Sequence, residues 1–197
     1  MVSRLIDISI SFVALVVLSP LLVLIGLLVR ATSPGPALHR ATRVGRDGRL
    51  FRLCKFRSMH VGADLAGPGV TSRDDRRVTP FGRWLRRYKL DELPQLINVL
   101  AGEMSLVGPR PEDPRYVALY SEEQREILKV RPGITGVASL SYRREEDLLS
   151  GADWERTYRE VVMPDKIRIE LEYVRRRGRL SDLGILARTL IAPFHHP

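Results

Sequence analysis

Residues 5–29 read LIDISISFVALVVLSPLLVLIGLLV, a run of 25 residues in which Asp7 is the one charged side chain. An apolar stretch this long constrains the chain more than any other feature, because it has to be placed against a bilayer before anything else can pack. At roughly 1.5 Å per residue, a straight helix of this length exceeds the roughly 30 Å hydrocarbon core. Ser19 and Pro20 fall near its middle, where proline removes a backbone hydrogen bond and kinks a helix. Two topologies follow: a spanning helix, or a re-entrant one that breaks at Ser19-Pro20 and returns to the side it came from. On residues alone the spanning form is preferred, since single prolines are common in spanning helices. The run is too long for a signal peptide, and Arg30-Ala-Thr-Ser-Pro offers no small-residue cleavage site. Arg4 and Asp7, three apart, are expected to pair on the first turn. Arg30, Arg40, Arg43, Arg46 and Arg49 crowd the far flank. Under either topology that positive charge assigns residues 33–197 to the cytoplasm as one catalytic or binding domain, with residues 1–32 as its anchor.

The formal charge of +9 and the isoelectric point near 10.3 imply an anionic partner. Nucleic acid, an anionic membrane surface and phosphorylated substrates all qualify. Arginine carries most of the charge, which favours bidentate phosphate recognition. Aromatic residues interleaved with basic ones, the stacking platform of a single-strand binder, are sparse, so nucleic acid is not expected. The one cysteine, Cys54, excludes an internal disulfide framework and fits a reducing compartment.

Ser33-Pro-Gly-Pro-Ala37 cannot be helical and marks the exit from the anchor. A hairpin follows, from Arg40 to Gly45 and from Leu50 to Phe56, about the turn Arg46-Asp47-Gly48-Arg49, where Asp-Gly supplies positive φ. Alternation turns Phe51, Leu53 (or Cys54) and Phe56 inward and leaves Lys55 and Arg57 at the strand end. Residues 62–80 form a long loop, functional or mobile by its length. A basic helix covers roughly Pro80 to Tyr88. Helical periodicity recurs over 114–129 and over 145–177, with a break at Met163-Pro164-Asp165. A last helix, about Ser181 to Ala192, presents Leu183, Leu186, Leu190 and Ile191 to core or lipid. His195 and His196 are too isolated for a metal site.

The chemistry concentrates between Leu90 and Glu112. Asp91 and Glu92 stand where a helix is expected to start, with Asp91 as N-cap, Pro94 in the first turn, and Leu93, Leu96, Ile97 and Leu100 at helical spacing. A helix start is suited to a phosphate. Arg83, Arg86, Arg87 and Lys89 precede it, and Gly108-Pro-Arg-Pro111 holds Arg110 rigidly after it. Paired carboxylates among cations suit metal-assisted phosphoryl chemistry, although a capped amphipathic helix with solvated charges has the same spacing.

Seven segments in order resemble the bacterial sugar transferases, specifically the small monotopic polyprenyl-phosphate phosphoglycosyl transferases. They are the Ser-Pro of the anchor, Ser33-Pro-Gly-Pro36, Arg43-Val-Gly-Arg46, Lys55-Phe-Arg-Ser-Met59, Leu90 through Val99, Met104 through Pro111, and Arg131-Pro-Gly-Ile-Thr-Gly136. The resemblance implies a mostly helical α+β fold with one small β-hairpin and interfacial amphipathic helices. It also implies a re-entrant anchor broken at Ser19 and Pro20, on the cytoplasmic face of the bacterial inner membrane among anionic lipids. The implied reaction moves a phosphosugar from a UDP-sugar to undecaprenyl phosphate, releasing UMP, as the first membrane step of a glycan such as a capsule, exopolysaccharide or O-antigen. By resemblance Asp91 is the nucleophile, forming an aspartyl-phosphosugar intermediate, and Glu92 is its dyad partner. Both are also the implied ligands of Mg²⁺. Lys55, Arg57, Arg86 and Arg110 are the candidates for substrate phosphates, and Arg131 and Thr135 lie in the implied nucleotide-sugar region. After Gly136 the chain departs from the family pattern, reading Val137-Ala-Ser-Leu-Ser-Tyr-Arg-Arg-Glu-Glu146, which leaves the sugar open. Two other classes compete: a basic membrane-tethered binding module without chemistry, and a metal-dependent phosphohydrolase using the same carboxylates.

Overall fold

The structure is a computed structural model that describes residues 4–63, 67–72, 75–149 and 153–191. His195, His196 and Ala192 lie outside these residues. The fold is mostly helical with two small sheets, and it is organised along one long apolar helix, α1 (Arg4–Thr32).

The side chains of α1 sort into two faces. Arg4, Asp7, Ser11, Leu15, Leu18, Leu22, Ile25 and Val29 recur every three or four residues and form the buried or partly buried stripe. Phe12, Val13, Val16, Val17, Val23, Leu24 and Leu27 are exposed apolar residues on the other side. The helix is 29 residues long with a mean hydropathy of 3.0 over its most apolar window, enough by length and composition to cross a membrane. It passes through Pro20 without ending. Proline leaves the Val16 carbonyl without its helical donor, and the Ser19 hydroxyl donates to that carbonyl at 2.8 Å. The break expected at Ser19-Pro20 is thus repaired locally. Arg4 and Asp7, expected to pair with each other, reach instead into the domain. Arg4 donates to the carbonyls of Val99 and Leu100, at 2.6 and 2.9 Å, and Asp7 accepts from the Ser105 hydroxyl and the Leu106 amide.

The hairpin forms as expected, β1 (Leu38–Val44) antiparallel to β2 (Leu50–Phe56). Its turn uses Asp47 and Gly48 at φ of 57° and 76°. Phe51 and Leu53 pack into one cluster with Leu96, Val99, Met104 and Val107, while Phe56 packs into another with Ile25, Val29 and Leu85. Cys54 is buried as well, so this strand is covered on both faces at its end. From the long loop after it, Met59 bridges to Val78 and Arg77 gathers the carbonyls of Ala63, Pro68 and Val70 around its guanidinium. The basic helix α2 (Pro80–Arg87) is capped by Thr79, whose hydroxyl accepts from the Gly82 amide. A side chain at Gly82 would meet the Ser58 carbonyl at 2.0 Å, so glycine is what lets α2 lie against the end of β2.

Three expectations are corrected. The helix meant to start at Asp91 is a 3₁₀ turn over Leu90–Glu92, and α3 (Gln95–Ala101) begins only after Pro94. Lys89, at φ 56°, turns the chain left-handed just before that 3₁₀ turn. Asp91 is therefore inside a tight turn and caps nothing. The stretch after the Gly-Pro-Arg-Pro turn is not one helix but α4 (Pro114–Val117) and a 3₁₀ segment over Gln124–Lys129. The expected break at Pro164 is instead a change of helical pitch. A π-turn over Tyr158–Val162 runs directly into α8 (Met163–Arg176), where Pro164 sits in the first turn and needs no donor. Ahead of it lie α5 (Val137–Ser141), α6 (Glu145–Leu148) and α7 (Trp154–Thr157).

A second sheet was not expected: β3 (Ser105–Val107) runs parallel to β4 (Gly133–Thr135). The backbones of Gly108 and Gly133 approach so closely that a Cβ on Gly133 would sit 2.1 Å from the Gly108 nitrogen. This contact welds the Gly-Pro-Arg-Pro turn to Arg131-Pro-Gly. The last helix, α9 (Arg179–Ile191), turns Ile185 and Leu186 into the cluster and leaves Leu183 and Ile191 exposed, so its apolar residues divide between core and surface. Asp182 is fully buried and accepts from the Tyr173 hydroxyl at 2.6 Å.

Candidate active site

A cavity of about 940 Å³ opens between the hairpin, the 3₁₀ turn and the 137–149 segment. That is room for a nucleotide sugar. Its floor is Asp91 and Glu92, both buried despite their charge. The tight turn and Lys89 force both carboxylates inward, against β2 on one side and the Gly-Pro-Arg-Pro turn on the other. Asn98 fixes the distance between these parts. Its side-chain oxygen accepts from the Cys54 amide at 2.9 Å, and its nitrogen donates to the Arg52 carbonyl at 2.8 Å and to Glu103 at 2.7 Å. The one sequence signal for Asn98 is a polar residue between the buried Leu96 and Val99.

The two carboxylates have opposite surroundings. Lys55 donates to Glu92 Oε1 at 3.3 Å, and Arg110 donates to both Glu92 oxygens, at 3.2 Å to Oε2. Burial alone would raise the pKa of Glu92, but Arg110 and then Lys55 outweigh it and hold the group well below its ordinary value. Glu92 is a fixed anion. Asp91 is raised instead, by burial and then by the neighbouring Glu92 charge, against the opposing pull of Lys55 and Arg86. Its Oδ1 is buried and accepts no hydrogen bond. Buried polar atoms are normally satisfied, so this one stands apart from the other polar groups of the site. Lys55 is lowered to about 8 by its own burial, with Glu92 limiting the fall.

The other predicted residues are placed as follows. Arg86 lines the cavity and donates through Nε and Nη2 to Glu146 on α6. Arg57 touches the cavity but spends its guanidinium on backbone: Nη1 donates to the Pro34 carbonyl at 2.7 Å, and Nη2 to the carbonyls of Ser33 and Val29 and to the Ser33 hydroxyl. It clasps the elbow between α1 and β1. The Thr135 hydroxyl lines the cavity and is shared with Thr189 at 2.7 Å. Arg131 points away, its Nε donating to the Gly102 carbonyl. Ser19 and Pro20 are on the exposed face of α1. The residues that sequence reasoning missed form the far wall: Glu112 accepts from the Tyr158 hydroxyl, and Lys166 donates to Glu145 at 2.9 Å beneath the Tyr158 ring.

Among the described residues no group of three or more His, Cys, Asp or Glu side chains could hold a metal by itself. The donor set fits Mg²⁺ nonetheless, since that ion commonly takes one or two carboxylates and completes its shell with water and substrate phosphates. Asp91 and Glu92 are the two adjacent carboxylates at the cavity that would contribute to such a shell.

A buried carboxylate pair, cations from three separate elements and a cavity of nucleotide size are what a site for phosphorylated ligands requires. The chain matches the model of the family described as "Bacterial sugar transferase" over residues 1–196, and it belongs to that family. It is 42% identical over 194 residues to an undecaprenyl-phosphate glucose phosphotransferase of Komagataeibacter xylinus, covering 95% of this chain and 35% of that protein. It is 38% identical over 196 residues to the UDP-glucose:undecaprenyl-phosphate glucose-1-phosphate transferase of Escherichia coli, covering 95% of this chain and 39% of that one. A UDP-N-acetylgalactosamine-undecaprenyl-phosphate N-acetylgalactosaminephosphotransferase of Aeromonas hydrophila is 40% identical over 144 residues, 71% of this chain and 34% of that protein. The chain thus spans between a third and two-fifths of the length of these relatives.

Proposed function

We propose that this protein transfers a sugar 1-phosphate from a UDP-sugar to undecaprenyl phosphate, in two steps through Asp91. The observation that carries this reading is the contrast within the dyad: Glu92 is tied to Lys55 and Arg110, while Asp91 lines the same cavity with its buried Oδ1 left without a hydrogen bond. In the first step the Asp91 carboxylate attacks the phosphorus that bears the sugar. The bond from that phosphorus to the bridging oxygen breaks, and UMP leaves with the electron pair. An acyl phosphate now joins Asp91 to the sugar. In the second step an oxygen of the polyprenyl phosphate attacks the same phosphorus and Asp91 is released as a carboxylate. A carboxylate approaching a dianionic diphosphate needs its repulsion screened, and Lys55, Arg86 and Arg110 supply that charge at the cavity wall. Mg²⁺, held by Asp91 and Glu92 together with the diphosphate, would add charge neutralisation at the leaving phosphate.

Relatives named for glucose and for N-acetylgalactosamine leave the sugar unassigned. We further propose that residues 1–32 are the membrane segment and residues 33–197 the catalytic domain on the cytoplasmic side of the bacterial inner membrane, against anionic lipid. The stripe of α1 that packs on the domain from Arg4 to Val29 supports a segment with both ends on one face of the bilayer. A spanning helix would carry one of those ends away from the domain.

The test is UMP release from a panel of UDP-sugars with Mg²⁺, with and without undecaprenyl phosphate, for the wild type and Asp91→Asn. Multiple turnovers that need the lipid and vanish in the variant support the transferase and name the sugar. Continuous turnover without lipid would make the protein a hydrolase, and no UMP from any donor would leave a binding module.

A further inference from the structure

Arg86 is a strategic side chain in an unexpected contact. It lies close enough to Asp91 to oppose the rise in that group's pKa, so its charge acts at the reacting centre. Yet its guanidinium is engaged by Glu146, with Nε at 3.1 Å and Nη2 in a still shorter contact to the same Oε1. Glu146 comes from the opposite wall of the cavity, on the segment between Tyr142 and Leu149.

That segment is pinned to α8 and the core at three points, none of which involves Glu146. The Tyr142 hydroxyl donates to Asp165 at 2.6 Å, Glu145 accepts from Lys166 at 2.9 and 3.1 Å, and Leu149 is buried in the cluster around Tyr116 and Tyr158. It arches over the cavity from that base, and the Glu146 carboxylate is the contact that reaches α2 on the far side. A carboxylate and a phosphate each offer a guanidinium fork a pair of anionic oxygens.

We propose that Glu146 is a positioning residue for Arg86: its carboxylate occupies the guanidinium in place of a donor phosphate and is displaced when a nucleoside diphosphate enters. This deepens the transferase reading given above, because it names how the donor's anionic end gains the site. One observation favours exchange over a permanent link. The pair is partly exposed, 21% at Arg86 and 37% at Glu146, whereas the Arg110–Glu92 pair has its carboxylate end buried, 35% at Arg110 and 10% at Glu92. Ion pairs that solvent reaches are weak and give way readily, while buried ones do not. Once a diphosphate is on Arg86, Glu146 becomes a like charge beside it, so its side chain swings away while the three attachments of the segment hold. Substrate entry and release of this ion pair are then one event.

The experiment compares the wild type, Glu146→Gln, Glu146→Asp, Arg86→Gln and the Glu146→Gln/Arg86→Gln double variant in two readouts. One is the dissociation constant of UDP, measured by calorimetry, which needs no turnover. The other is KM and kcat for UMP release from the UDP-sugar that turns over. Removing the competing charge is expected to tighten UDP binding and lower KM by about two- to fivefold, the range open to a partly exposed pair. The gain should vanish when Arg86 is also replaced and when Glu146→Asp restores the charge. Unchanged or weaker UDP binding in Glu146→Gln would overturn the proposal, as would an equal gain in the Arg86→Gln background. Because UDP binding is read without catalysis, a wild type that releases no UMP would sink the transferase reading and leave this comparison intact.

Discussion

Asp91 and Glu92 are adjacent in sequence, but their roles separate through what each one faces. Arg110 and Lys55 fix Glu92 as an anion, so the fold also fixes the charge that Lys55 must offset. Lys55 carries the consequence. Its burial brings its pKa down to about 8, well within reach of ordinary buffers, and only the protonated form screens a diphosphate. The value of kcat/KM for UMP release reports groups of the free protein, so it should fall as pH rises through about 8. Lys55→Arg keeps its charge throughout and should flatten that alkaline limb; a wild-type profile level to pH 10 would remove Lys55 from phosphate screening. Glu170 gives a stability test of the same kind. Buried behind the active-site turn, with neither oxygen in a hydrogen bond of ordinary geometry, it is pushed up from 4.5 to about 7 by burial, moderated by the nearby amides of Ala138 and Arg110. Below pH 4.5 it is protonated folded or unfolded. Between 4.5 and about 7 the folded protein holds a proton that the unfolded chain gives up, so stability is lost as pH rises and the full penalty is present above 7. Glu170→Gln should therefore gain on the order of 2–3 kcal/mol at pH 8 and nothing at pH 4, measured by denaturant unfolding.

Among the elements, the elbow from α1 to β1 depends on one arginine. Arg57 is 5% exposed and satisfies the carbonyls of Val29, Ser33 and Pro34, which Ser33-Pro-Gly-Pro36 leaves without regular partners. Gly35 at φ 114° fits beneath it, and a Cβ there would lie 2.1 Å from Arg57 Nη1. Removing the guanidinium strands several buried acceptors, so Arg57→Ala should cost about 3 kcal/mol or more. Arg57→Lys should recover only part of it, since an ammonium cannot span the same fork of carbonyls. Thermal unfolding in a fixed detergent measures both; a stable Arg57→Ala with a raised donor KM would return Arg57 to the phosphates. The same contrast explains what the sequence displayed and what it concealed. The hairpin and α2 are announced by residues within the turn or cap itself, Asp47-Gly48 and Thr79-Pro80. Asp91 looks like an N-cap because Pro94 and the apolar spacing fit a helix, yet left-handed Lys89 tightens the chain into a 3₁₀ turn. The parallel pairing of β3 with β4 joins three-residue strands separated by 25 residues, and no local pattern specifies such a partner. Convergence of Lys55 and Arg110 on Glu92 is equally nonlocal; the seven family-like segments pointed to those residues, while spacing alone did not.

For the whole molecule the question is where the bilayer lies. The two faces of α1 differ along its full length: a stripe from Arg4 to Val29 meets the domain, and the opposite face is apolar and exposed. Near its start, Arg4 and Asp7 are bonded to the backbone of α3 and β3; near its end, Ile25 and Val29 pack with Phe56 and Leu85. A helix crossing the bilayer must hold its ends on opposite sides of roughly 30 Å of hydrocarbon, which would strip one set of contacts and leave Asp7 unpaired in lipid. The proposed re-entrant anchor satisfies both ends on one body by entering with its apolar face and keeping both ends at one surface. Single cysteines at Leu5, Val17 and Ala31, in a background where Cys54 is replaced by Ala, distinguish the arrangements. Labelled with a membrane-impermeant maleimide, Leu5→Cys and Ala31→Cys should both react in inverted membrane vesicles and neither in intact spheroplasts. Val17→Cys, 69% exposed in the protein but on the apolar face, should react in neither until detergent is added. Reaction of Leu5→Cys in spheroplasts, with Ala31→Cys confined to inverted vesicles, would establish a spanning helix, and the contacts of Arg4 and Asp7 with the domain could not then exist in the membrane.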